Sequence, residues 1–435
     1  MTKVSFLGSC REIGRSCILV ESKSGSKCIL DYGIGFNSDD RLPLEPDFTN
    51  LKSIALTHSH VDHSGALPFV YKSSKVPCFT NSISLEITEL LIRDMIKISN
   101  YPYPFGFREL DHLRKNSYFL KNGIRQKIDN NFYITFIDAG HIPGSVSILL
   151  EVDNKRIFYS GDINTQDTNL IPPANHTEIP EIDALIIEST YALREHPPRN
   201  ILEEKFVDKV IDITENGGNV LIPAFGVARS QEALLILEKY NYTGKIFIDG
   251  LARKVSNIYL QHPEFIKDIK SFKKALKRAE FISRKKDRIY AKKSNGVIIS
   301  PSGMLKGGAA IDYIETVLND PRSAIYLVGY QVEGSPGRGL LDNGIFQFKE
   351  SQKKKNIFNN FQIEAKCDYD YFDFSSHADN LHLYEYVENL KFRKKSFNDI
   401  FCVHGDNKST TTFASELVKN GYNSVAPEIG EIYKI

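Results

Sequence analysis

The sequence predicts an α/β fold in two parts: a layered domain of sheets and helices, and a second domain, built on a parallel sheet, inserted into it. Three observations point there. Short strand-like runs joined by turns recur as far as Ile187. Past Pro197-Pro198 the rhythm changes to longer helical stretches alternating with apolar runs, the pattern of βαβ units. After about residue 374, motifs of the first kind return. The expected divisions are residues 1–198, an insertion over 199–374 and a return segment over 375–435.

The elements follow in order. Residues 4–7, 16–20 and 27–31 read as strands, the last two separated by the turn pair Ser24-Gly25. Residues 53–57 form a β run ending directly on His58. Leu85, Leu90, Leu91 and Met95 recur at helical spacing over 84–98. Strands return at 132–137, 146–152, 156–159 and 184–187. In the insertion, 202–215 reads as a helix stopped by Gly217-Gly218, then 219–222 as a buried strand and 230–239 as a helix. Residues 245–248, 296–299 and 324–328 are further strands.

Composition narrows the function classes. The 435 residues hold 55 Lys+Arg and 54 Asp+Glu, a formal net charge of +1, so a histone-like or polybasic protein is excluded. Arg11, Glu12 and Arg15 interrupt any signal-peptide core, and no stretch approaches the roughly 18 apolar residues of a membrane helix. The six cysteines form no C-x-x-C pair and no disulfide framework, so reduced thiols and a cytoplasmic location are expected. Residues 267–293 hold twelve lysines and arginines against Asp268, Glu280 and Asp287. Such a run is either a solvated helix face or part of a nucleic-acid track.

The strongest chemical signal is His58-Ser59-His60-Val61-Asp62-His63, three imidazoles and a carboxylate just past a strand, in a chain with eleven histidines. Alternation on a loop lets His58 and His60 face one side while Asp62 and His63 turn toward a neighbouring site. These donor types suit zinc, and two adjacent ions would clamp attacking and leaving oxygens. One loop cannot complete two sites. His141, Asp162 and His404 each sit in a small-residue turn after a strand and supply the remaining donors. Asp31, ending its own strand, is expected to orient a ligand histidine from behind. A helix N-terminus after Ser302-Gly303 could offer backbone N–H groups to phosphate, and Arg338 in GSPGRG is a candidate phosphate contact. His112, His176, His196, His262 and His382 are read as surface or packing residues.

Through Asp31, HSHVDH (58–63), His141 and Asp162 the chain resembles the metallo-β-lactamase superfamily. Glu188 in ESTY, His377 in FSSHAD and His404 in VHGD make it similar to the β-CASP nucleases, as do IPAFGVARSQE (222–232), SPSGMLKGG (300–308) and GYQVEGSPGRGLL (329–341). The resemblance is to the nuclease subunit of the cleavage and polyadenylation specificity factor and its short archaeal and bacterial homologues, relatives of RNase J. It implies an αββα sandwich with an inserted β-CASP domain, lying over the metal site and leaving a cleft for single-stranded RNA.

By resemblance, His58, His60 and His141 hold one zinc, Asp62, His63 and His404 the second, and Asp162 bridges both. Asp62, Glu188 and His377 form the catalytic set, with His377 facing the leaving group beside Glu188. Ser375 and Ser376 occupy a loop that binds 5′ phosphate in RNase J, where Ser-Gly-His is usual; Ser-Ser-His is closer to the polyadenylation branch. The implied function is a two-zinc ribonuclease, endonuclease or 5′–3′ exonuclease, whose bridging hydroxide attacks phosphorus to leave a 5′ phosphate. It would act as a homodimer or within an RNA-processing assembly. The alternatives are a DNA-processing nuclease, another hydrolase on the same scaffold such as a thioesterase or lactonase, and a non-catalytic subunit. His404 favours RNA, since DNA-processing relatives generally lack it, and inactive subunits lose metal ligands that this chain retains.

Overall fold

The protein is described from a computed structural model covering residues 1–35, 41–99, 101–352, 357–393 and 399–435. It divides into two compact units. One comprises residues 1–167, 172–195 and 376–435; the other comprises 168–171 and 196–375.

The first unit holds two seven-stranded sheets. Lys3–Phe6, Ile18–Glu21, Lys27–Leu30 and Leu51–Ala55 are consecutive in one; Phe132–Asp138, Val146–Val152, Lys155–Tyr159, Ala184–Glu188 and Asp399–Val403 are consecutive in the other. Side chains alternate between faces along each strand. Val4, Phe6, Ile18, Val20, Cys28 and Leu30 therefore meet Phe136, Ile148, Leu150, Ile157 and Phe401 in one buried layer between the sheets. The intervening residues face outward under helices. Leu19, Ile29 and Ile54 are covered by Leu85 and Ile92 of helix Ser82–Ile98 and by Leu110 and Leu113 of helix Phe107–Lys115. Leu149, Leu185 and Ile187 are covered by Leu383 and Val387 of helix Asn380–Asn389 and by Phe413 and Leu417 of helix Asn407–Lys419. The result is the αββα sandwich.

The second unit carries a six-stranded sheet in the order Ala279–Phe281, Ile246–Ile248, Val297–Ser300, Val220–Pro223, Ala324–Leu327, Asp368–Tyr371, with every pairing parallel. Val220, Leu221 and Ile222 are fully buried, as a strand with both faces covered by helices must be. Helices Arg199–Glu215, Arg229–Lys239 and Leu251–Gln261 alternate with these strands.

Several element limits differ from expectation. The strand before the histidine motif ends at Ala55 rather than on His58, because Thr57 turns away to Asp31. Asp62 and His63 lie on a helical turn, Val61–Ser64, rather than on a loop. The helix expected after Ser302-Gly303 begins only at Ile311; the intervening chain loops back, with Ser302 Oγ donating to the Gly307 carbonyl at 3.2 Å. Ser302 and Gly303 thus sit at no helix N-terminus. The basic run also divides. Arg278 pairs with Glu238 and Arg288 with the buried Asp249 at 2.7 Å, so these two serve the fold, whereas the exposed Arg284 pairs only with its near neighbour Asp287.

Candidate metal centre

Four strands of the second sheet in the first unit run in one direction, and each ends next to a polar side chain. Phe132–Asp138 leads to His141, Lys155–Tyr159 to Asp162, Ala184–Glu188 ends on Glu188 and Asp399–Val403 leads to His404. The register sets Glu188 beside Val403, so Glu188 and His404 emerge together. Carboxyl ends of aligned strands are a recurrent ligand position in α/β sheets. From the other sheet, Leu51–Ala55 delivers His58 to His63.

The turn carrying Asp62 and His63 is clamped by its backbone. Ser16 N–H donates to the Asp62 carbonyl at 2.9 Å, Tyr32 N–H to that of His63 at 2.8 Å, and Ile34 N–H to that of Val61 at 2.9 Å. Gly33 permits this approach, since a Cβ there would lie 1.6 Å from the Asp62 carbonyl oxygen.

Two donor groups match the expected ligand sets, and Asp162, Glu188 and His404 make a third close set. Ligand atoms of His58, His60, His141 and Asp162 lie within 4.8 Å of one another, and so do those of Asp62, His63 and His404. His141 Nδ1–H donates to the Ser376 carbonyl at 2.7 Å, which turns a bare Nε2 toward His60 Nδ1, 3.1 Å away. His63 Nδ1–H donates to Asp31 Oδ2 at 2.7 Å, and its Nε2 faces His404 Nε2 at 3.2 Å. Asp162 lies between the groups. Oδ2 is 3.5 Å from His58 Nε2 and 3.6 Å from His141 Nε2; Oδ1 is 3.3 Å from His63 Nε2 and 3.4 Å from His404 Nδ1.

Burial pushes His58 and His141 well below the ordinary imidazole range and His60 down to about 4. Burial opposes ionisation of Asp162, but His404, His63 and His377 outweigh it and hold the carboxyl well below its usual range. For Asp62, too, burial is outweighed, by the His404 hydrogen bond and the His63 and His404 charges. Burial of His63 is overcome by Asp162 and Asp31, which raise it. His58, His60 and His141, whose burial favours the neutral form, turn ring nitrogens toward one another in the first group. Asp162 Oδ1 is buried and has no hydrogen-bond partner among the described residues. The donor set fits divalent metal, and its N/O chemistry fits zinc.

Beside these groups, His377 Nδ1 lies 2.8 and 3.0 Å from the two Glu188 oxygens, and its Nε2 lies 3.9 Å from Asp162 Oδ2. Glu188 is buried, and its Oε1 also accepts from Ile163 N–H at 2.7 Å.

The structure thus gathers Asp31, His58, His60, Asp62, His63, His141, Asp162, Glu188, Ser376, His377 and His404 in one unit. Ser302, Gly303, Arg338 and Ser375 belong to the other. There Arg338 pairs with Asp342 at 2.8 Å and lines a cavity of about 860 Å³, and the Ser375 carbonyl accepts from Arg199. Thr57, Tyr159 and Thr190 also support the site, although no motif in the sequence marks them. Thr57 N–H and Oγ1 donate to Asp31 at 2.7 and 2.8 Å, Tyr159 OH donates to Asp31 at 3.0 Å, and Thr190 Oγ1 donates to the His404 carbonyl at 3.0 Å. Their adjacency to the motif residues was the available signal, but a threonine or tyrosine at a strand end is ordinary β composition.

Comparison with known proteins agrees with this architecture. The Beta-Casp domain family matches residues 230–340, and the Zn-dependent metallo-hydrolase RNA specificity domain matches 362–427. The chain is 33% identical to the probable RNase MJ4 of Methanocaldococcus jannaschii, covering 100% of both chains. It is 35% identical to RNase aCSPSF2 of Saccharolobus solfataricus over 98% of this chain and 84% of that protein. It is 30% identical to transcription termination factor FttA of Methanothermobacter thermautotrophicus over 96% of this chain and 69% of that one. A crystal structure of a protein of unknown function from Enterococcus faecalis V583 superposes with a TM-score of 0.61 at 14% identity, covering 99% of both, and shares the fold. With relatives above 30% identity matched along their length and both domain families in place, the chain belongs to the β-CASP family of metallo-β-lactamase-fold hydrolases.

Proposed function

We propose that this protein is a two-zinc ribonuclease that hydrolyses RNA phosphodiester bonds and leaves a 5′ phosphate on the downstream product. The observation that carries this reading is the pair of adjoining donor groups sharing Asp162. Support for RNA as substrate comes from relatives named as RNases and from the RNA specificity domain family over 362–427.

His58, His60 and His141 would hold one ion and Asp62, His63 and His404 the other, with Asp162 placed to serve both. Ions held there would supply a nucleophile at neutral pH and offset charge on the phosphate in the transition state. The chain's own residues do the rest. Asp31 keeps the His63 Nδ1 proton and so leaves Nε2 as the donor. The Ser376 carbonyl does the same for His141. Cleavage of the P–O3′ bond expels an alkoxide, and His377 Nε2–H gives it a proton while Glu188 holds the ring through Nδ1. Because the bond to the 3′ oxygen breaks, the phosphate remains on the 5′ end of the downstream fragment. In the parallel-sheet unit, Arg338 on the wall of the 860 Å³ cavity is the candidate contact for an RNA phosphate.

Zinc content tests the reading. The purified, zinc-equilibrated protein should hold two zinc ions per chain. Asp162→Ala should keep its far-ultraviolet circular dichroism, lose zinc from both groups and lose RNA cleavage. A folded, fully active Asp162→Ala protein would sink the proposal.

A further inference from the structure

The two donor groups are linked behind the ligands by a single hydroxyl. Thr57 Oγ1 lies 2.8 Å from Asp31 Oδ2, 3.0 Å from His58 Nδ1 and 3.4 Å from His63 Nδ1. A threonine hydroxyl has one proton and two lone pairs. The carboxylate can only accept, so that proton goes to Asp31. The contact with His58 can then be made only by His58 Nδ1–H donating to Oγ1. This leaves His58 Nε2 as a lone pair on the side of Asp162 and His60. Asp31 Oδ2 in turn receives the His63 Nδ1 proton at 2.7 Å and the Tyr159 hydroxyl at 3.0 Å. Thr57, His58, His63, Asp31 and Tyr159 are each at most 2% exposed, so bulk water does not replace a lost partner. Thr57 is held from the other side as well, because a Cβ on Gly161 would lie 2.9 Å from its Cγ2.

We propose that Thr57 is a positioning residue that orients both donor groups at once: directly through His58 in the first, and through Asp31 and His63 in the second. The inference rests on the two-ion reading above. The same geometry assigns Tyr159 to the second group alone, since its hydroxyl reaches Asp31 without touching His58. Partners behind a metal-ligating histidine typically matter about 10- to 100-fold in metal affinity.

The test is zinc affinity of the full-length protein against a competing chelator, read for each of the two equivalents. Thr57→Val keeps the shape and removes the hydroxyl; it should weaken both equivalents about 10- to 100-fold. Thr57→Ser should bind as wild type, and Tyr159→Phe should weaken one equivalent only. A general loss of stability would not give that split. If Thr57→Val binds both equivalents as wild type does, or weakens only one, the inference is overturned. Should Thr57→Val not fold, ¹⁵N spectra of histidine in the zinc-loaded wild type decide the matter. His58 must carry its proton on Nδ1, and a proton on Nε2 contradicts the relay. Failure of the two-ion reading would instead appear in the wild type itself, as fewer than two bound equivalents.

Discussion

His377 and Glu188 show how a residue's neighbours set its task. The imidazole turns Nδ1 to a buried carboxylate at 2.8 Å and keeps Nε2 3.9 Å from Asp162, beside the donor groups without joining the closest set. Such a ring can hand over a proton and be re-aimed without being consumed. His377→Ala should therefore retain both zinc ions and cleave RNA roughly 100- to 10,000-fold more slowly, the usual worth of a general acid. Bis(p-nitrophenyl) phosphate separates this role from positioning, because its leaving group is a stable anion that needs little protonation. Its hydrolysis should fall far less than RNA cleavage. Equal losses on both substrates, with zinc content intact, would assign His377 to positioning. The donor residues were legible because histidine is scarce in this chain and clusters tightly between positions 58 and 63. Thr57 and Tyr159 were not, since their function depends on a carboxylate, Asp31, that is distant in sequence and visible only once the strands pair.

Elements place these side chains, and the tightest placement is the turn Val61–Ser64 against residues 32–34. Three backbone hydrogen bonds hold it, and Gly33 leaves no space for a methyl group. Gly33→Ala must push the Asp62 carbonyl away and with it the Asp62 and His63 side chains. The expected outcome is a folded protein of lower melting temperature that loses zinc from the second group before the first. Equal zinc affinity in both groups would contradict it. In the basic segment, Arg288 differs from its lysine neighbours. It donates to Asp249, which the Tyr313 hydroxyl also reaches at 2.7 Å. Arg288→Gln should cost about 1–3 kcal/mol, as expected when a buried acceptor loses a partner. Lys285→Gln with Lys286→Gln should change stability little, since both lysines are exposed and make no ion pair among the described residues. Chemical denaturation compares them directly. The sequence showed the charge run and not this division, because Asp249 lies 39 residues from Arg288. The parallel rhythm of the insertion was legible, since fully buried strands between helices leave continuous apolar runs such as Val220–Pro223. Where helix Ile311–Leu318 starts was not, since the chain from Ser302 to Ala310 folds on itself before the helix begins.

For the whole molecule, the αββα unit supplies every proposed metal ligand, and the parallel-sheet unit carries the Beta-Casp match and the cavity lined by Arg338. No helix among the described residues is long and apolar enough to cross a membrane. The proposed reaction is zinc-dependent hydrolysis of RNA at the P–O3′ bond. The measurement that tests it most directly is the chemistry of the new ends when zinc-loaded protein acts on a single-stranded RNA of defined sequence, read by mass spectrometry with Asp162→Ala protein as the control. Fragments with 5′-phosphate and 3′-hydroxyl ends are expected, absent from the control. Fragments with 5′-hydroxyl ends, or RNA left intact by the zinc-loaded protein, would contradict it.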